Sequence, residues 1–84
     1  MLTSWSTPRK EMFRGAPCTM LSWQLGWCDV VVWIMHDSPV VYIGGGIHGV
    51  ENVRIVDLLE LEALAERFKS AELNAAALRM RSGT

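Results

Sequence analysis

Cysteine is scarce in this 84-residue chain, which has only Cys18 and Cys28. Two thiols cannot build the set of bridges that staples small secreted domains. The expected state is a pair of buried free thiols in a reducing compartment, and the chain is read as cytoplasmic. Histidine is equally sparse, at His36 and His48. None of the intervals among these four residues has zinc-finger or zinc-ribbon spacing, so no metal is expected. An excess of one charge is also lacking, with 8 basic against 9 acidic residues. The small cluster of Arg9, Lys10 and Arg14 adds little affinity for a polyanion, so no nucleic-acid partner is expected.

A long uninterrupted apolar run is missing too. The stretch from Gly15 to Met35 is broken by Pro17, Gln24, Gly26 and Asp29. A central Asp alone costs about 2.5–3.5 kcal/mol on insertion scales, so a membrane span is not expected. The same interruptions remove any secretory-signal pattern. Half of the residues are apolar, which is enough for a core. A chain this short still buries proportionally little surface, so a partner or a second copy would be a natural supplement.

Residues 1–19 show no sustained period. Thr7-Pro8 and Ala16-Pro17 push their first residues out of the helical region, and an irregular N-terminal arm is expected, with Trp5 and Phe13 as anchors. Residues 20–84 are read as a single small α+β domain. Val30 to Met35 is a continuous β-branched and aromatic run, the mark of a strand buried on both faces. His36-Asp37-Ser38-Pro39 supplies a turn, and Val40 to Ile43 a second strand, so an antiparallel hairpin follows. Val53 to Val56 is a third short strand.

The C-terminal third predicts a helix over about residues 58–81. Asp57 and Glu60 stand in capping-box spacing, and Gly83 closes the far end. Leu61, Leu64, Phe68, Ala71, Ala75 and Leu78 recur at helical intervals and form one stripe. At about 1.5 Å per residue such a helix reaches ~36 Å, longer than the ~30 Å diameter expected of the domain. The expected fold is therefore α+β, a short antiparallel sheet of two to three strands with one long C-terminal helix. That stripe is the candidate interaction surface, for a protein partner or a homo-oligomer.

Gly44-Gly45-Gly46-Ile47-His48-Gly49 spells GxGxxG directly after an apolar strand. In a dinucleotide site those glycines turn tightly and let backbone approach a pyrophosphate at a helix N-terminus. Here a β-branched segment follows the motif instead of a helix, and the ribose-binding acid about twenty positions on is missing. His36, Asp37 and Ser38 are adjacent in a turn, where their side chains do not converge as a triad. No catalytic site is expected, and a non-catalytic role is the primary reading.

Ser38-Pro39-Val40-Val41, a five-residue spacer, and Ile47-His48-Gly49-Val50-Glu51-Asn52-Val53-Arg54-Ile55-Val56-Asp57 resemble a segment near the C-terminus of glucose–methanol–choline oxidoreductases. The resemblance covers residues 38–57 only. It implies a truncated or diverged fragment of an FAD-dependent enzyme, with Asp57 at the position close to the flavin. FAD is the cofactor under that alternative alone, and Gly44, Gly46, Gly49 and Asp57 are its candidate cofactor-binding residues. Neither catalytic residue of the family carries over: Gln24 and its neighbours occupy the region of its first histidine. The spacer Tyr42-Ile43-Gly44-Gly45-Gly46 and the bulky Leu58 also depart from the family pattern.

Overall fold

The computed structural model describes residues 8–25, 28–46 and 51–83. Five strands are formed, β1 Arg9–Phe13, β2 Ala16–Leu25, β3 Cys28–Met35, β4 Val41–Gly46 and β5 Glu51–Ile55. They pair antiparallel in chain order as a meander. Two helices follow, α1 Leu58–Phe68 and α2 Ala71–Ser82. The α+β class is as expected. The count of two to three strands and the single long helix are both overturned.

The additional strands are β1 and β2: β1 and the first four residues of β2 come from residues 1–19, expected to be irregular, and Met20–Leu25 from the expected domain. Arg14 and Gly15 both have positive φ, 52° and 79°. Two such residues make the tight turn whose twist suits a hairpin, and β1 folds back on β2 with Phe13 opposite Ala16. Pro17 argued against a strand here because it donates no ladder bond. It sits at the end of the sheet, where the His36 N–H donates to its carbonyl at 3.1 Å. Trp5 lies outside the described residues.

The Val30–Met35 run does form the central strand. Its side chains alternate between two cores, which is why it reads as apolar throughout. Val32, with Leu21 and Val41, packs toward the helices against Leu61, Ala65, Leu73 and Ala77. Val31, Trp33 and Met35 lie on the opposite face with Cys18, Phe13 and Tyr42. In the tryptophan-rich region, Trp23 and Trp33 are buried, Trp23 meeting Phe68 edge-on. Trp27 lies outside the described residues.

The two strand-paired cysteines cannot form a disulfide with each other. Cys18 is opposite Met35 and Cys28 is opposite Leu25, at the two ends of the β2–β3 ladder. Seven residues along a strand separate their backbones by about 23 Å, far beyond the ~7 Å limit of a disulfide.

The long helix breaks at Lys69. This residue adopts the left-handed conformation, φ 50°, ψ 45°, and its N–H bonds the Ala65 carbonyl. Ser70 then caps α2, its Oγ accepting from the Leu73 N–H at 3.2 Å. The break has a packing cause. At 100° per residue the buried face of α1, centred on Leu61 and Ala65, lies roughly 95° from that of α2, with Leu73, Ala76 and Ala77. A continuous helix would aim one of these sets at solvent, and folding it into a hairpin seats both on one core.

Lys69 supplies a direct check of this break. A left-handed turn at a helix end favours glycine, and a side chain there costs about 1 kcal/mol. Lys69→Gly is expected to stabilise the fold by about 0.5–1 kcal/mol in urea denaturation. On a continuous helix the same change would destabilise by about 1 kcal/mol.

Candidate functional site

The glycine strand has a structural explanation. A Cβ on Gly44 would lie 3.1 Å from Val53 Cγ2 and 3.2 Å from Trp33 Cζ3. Gly44 is therefore bare so that the Trp33 indole can lie across β4. Phe13 stacks on that indole with ring centroids 4.4 Å apart, and Tyr42 meets Phe13 at 5.1 Å. The Arg14 guanidinium lies 5.2 Å from the Phe13 ring centre and 5.0 Å from that of Tyr42, a cation–π cover over the cluster. At Gly45 a Cβ would lie 3.2 Å from the Asp29 carbonyl.

The candidate cofactor residues are not gathered. The Val56 N–H bonds the Val41 carbonyl, which puts Asp57 beyond the start of β4. Gly46 ends β4, so about 20 Å of extended strand separates its backbone from that region. Asp57 itself caps α1, its Oδ1 accepting from the Glu60 N–H at 2.8 Å. Gly49 and His48 lie outside the described residues. The depression beside Gly44 and Gly45, lined also by Val30, Ile43, Asn52 and Arg54, has a volume of about 220 Å³. Small-molecule sites usually run to about 300–1,000 Å³.

The candidate interaction stripe is divided by the helix break. Leu61 is fully buried, and Leu64 packs against the same core. Phe68 faces Trp23 on the sheet. Ala71, Ala75 and Leu78, in contrast, are exposed, Leu78 by 55%. They line the side of α2 opposite Leu73, Ala76 and Ala77. Leu59, on the first turn of α1, is 79% exposed. Between the helices runs an open groove of about 680 Å³, bordered by Glu62, Glu66, Lys69, Asn74, Leu78 and Arg81. A Glu62–Arg81 ion pair bridges it. The signal overlooked in the sequence is Ser70-Ala71-Glu72, an N-cap followed by an acid in the first turn.

A second cavity, of about 470 Å³, is lined by Lys10, Glu11, Met12, Pro17, Cys18 and His36. Burial, and after it the neighbouring Glu11 carboxylate, pushes the Cys18 thiol up. The thiol stays protonated, the unreactive form. His36 Nε2 lies 2.7 Å from Thr19 Oγ1. Among the described residues no three metal-ligating side chains converge. None of their helices is long and apolar enough to cross a membrane.

Polar clasps fix the hairpin to the sheet. Arg79 donates to the Met35 carbonyl at 2.8 Å and to the His36 carbonyl at 2.6 Å. Arg54 on β5 grips Glu60 of α1, both terminal guanidinium nitrogens donating to its carboxylate. The side-chain hydrogen bond from Arg54 holds the Glu60 carboxyl below its ordinary 4.5. A lowered carboxyl contributes stability above its unfolded pKa and loses it as pH falls through the folded value. Both partners are substantially exposed, so the pair is worth a few tenths of a kcal/mol. The melting-temperature gap between wild type and Arg54→Ala is expected to be small at neutral pH and to close below about pH 4. A gap that widens on acidification would contradict this.

No family model matches the chain, and neither does any curated protein or solved structure.

Proposed function

We propose that this chain acts without catalysis, binding a protein partner or a second copy of itself through the outward side of the α1–α2 hairpin. The observation that carries the reading is the double apolar character of α2. Leu73, Ala76 and Ala77 face the core, while Ala71, Ala75 and Leu78 face outward. A surface helix ordinarily keeps its outward side polar, and the exposed Glu72, Asn74 and Arg81 do so on the flanks, which leaves the strip of Ala71, Ala75 and Leu78 between them as the exception. Of the stripe proposed from sequence, only this outward half is open to association. The flavin-fragment alternative draws no support from the separate placement of Gly44, Gly46 and Asp57.

Site-specific photocrosslinking tests the reading. A photoreactive residue at Ala75 of the full chain is expected to give discrete adducts in cell extract. Leu78→Glu should abolish them, and the same probe at exposed Lys10 should not give them. Equal labelling from both positions would remove the proposal.

A further inference from the structure

On the helix side of the sheet, the corner formed by β1 and the start of β2 is uncovered, and it carries a cation beside an apolar wall. We propose that the cavity at this corner binds a small organic acid of the arylacetate type. Its carboxylate would lie on Lys10 and its ring against Met12 and Pro17.

Strand alternation places the side chains. Leu21 and Trp23 point to the helices, so Pro17 and Thr19 of the same strand share that side. Lys10 stands opposite Thr19 and Met12 opposite Pro17, which puts both on the helix side as well. Glu11 and Cys18 also border the cavity. Alternation turns their side chains to the other side, where Cys18 lies in the second core and Glu11 pairs with Arg9 at 3.7 Å. The one acid among the lining residues is thus turned away and matched to a different cation. Among the described residues Lys10 has no ion-pair partner.

Two further groups suit an anion. Thr19 Oγ1 and His36 Nε2 lie 2.7 Å apart next to Lys10, and a hydroxyl or a ring N–H can donate to a carboxylate. Arg79, held on the Met35 and His36 carbonyls, adds positive charge at the base of the turn. The other wall is apolar, with Met12 65% exposed and Pro17 exposed beside it. Two residues of strand, about 7 Å, separate Lys10 from Met12, close to the length of an arylacetate. The cavity volume of about 470 Å³ falls within the ~300–1,000 Å³ of small-molecule sites. An exposed ion pair contributes little, so the affinity is expected in the millimolar range.

Amide NMR on the full chain, titrated with phenylacetate to about 20 mM at constant ionic strength, tests the site. Saturating shifts are expected at Lys10, Met12, Thr19 and His36, with half-saturation at about 1–10 mM. Phenylacetamide lacks the charge and acetate lacks the ring, so each should bind about three- to fivefold more weakly. Lys10→Gln, at an exposed position, should keep the wild-type circular dichroism and weaken phenylacetate by the same factor, whereas Lys10→Arg should retain it. Leu78→Glu should leave the titration unchanged, because the site is independent of the hairpin surface. Shifts that do not saturate, shifts spread over the whole surface, or a titration untouched by Lys10→Gln overturn the proposal. Acetate binding as well as phenylacetate overturns it too, since the apolar wall would then take no part.

Discussion

Trp33→Ala is expected to destabilise the protein by about 3–5 kcal/mol, the range for truncating a buried aromatic. A chain of 84 residues has about 4–13 kcal/mol of stability in all, so much of the fold's reserve goes with one side chain. The reason is its position. Trp33 lies on the central strand, is 5% exposed, and has Phe13 stacked on its ring. Gly44 adds nothing to fill the space once the indole is gone, because the indole, together with a Val53 methyl, occupies the place a Cβ would take there. Gly44→Val in the wild-type background should cost about 1–3 kcal/mol by overpacking. In the Trp33→Ala background its methyls enter the vacated space, and the double variant should lose less than the sum of the singles. Urea denaturation of the four proteins in this cycle gives the coupling. Strict additivity would mean that Trp33 does not lie over Gly44.

The second large effect separates the two sides of α2. Leu73 is fully buried beneath the hairpin, whereas Leu78 is 55% exposed. Leu73→Ala is expected to cost about 2–5 kcal/mol, and Leu78→Ala less than about 0.5 kcal/mol in dilute monomer. A single long helix with the Leu61-to-Leu78 stripe on the core would reverse this order. Equilibrium unfolding of the two variants at low micromolar concentration therefore tests the helix break energetically. A larger loss at Leu78 than at Leu73 would refute the hairpin.

These expectations mark where local pattern ran out. The central strand was legible because six consecutive β-branched or large apolar residues leave no polar face in either period. The capping at Asp57 and the stop at Gly83 were legible because both rest on contacts within one turn of chain. The first hairpin was hidden by the charges of Arg9, Lys10 and Glu11 and by Pro17, although Arg14-Gly15 carries the turn. The edge strand β1 tolerates those charges, since its outer side faces water, and Pro17 sits at the end of the inner strand β2. The helix break was concealed by a coincidence of spacing. Apolar residues continue at 3 and 4 across Lys69-Ser70, so the period masks a change of face.

The sequence alone determined the α+β class, the antiparallel centre and the helical C-terminal third, all of which follow from local composition and period. Tertiary structure decided which side of each helix is covered. It also decided which part of the stripe is exposed, and that Gly44 leaves room for Trp33 and Val53. Those outcomes depend on contacts between residues distant in the chain: Leu61 and Leu73 reaching one core, and Trp33 lying over Gly44. Burial is a property of the packed whole, so a helical period gives the residues that share a side but not the side that meets water.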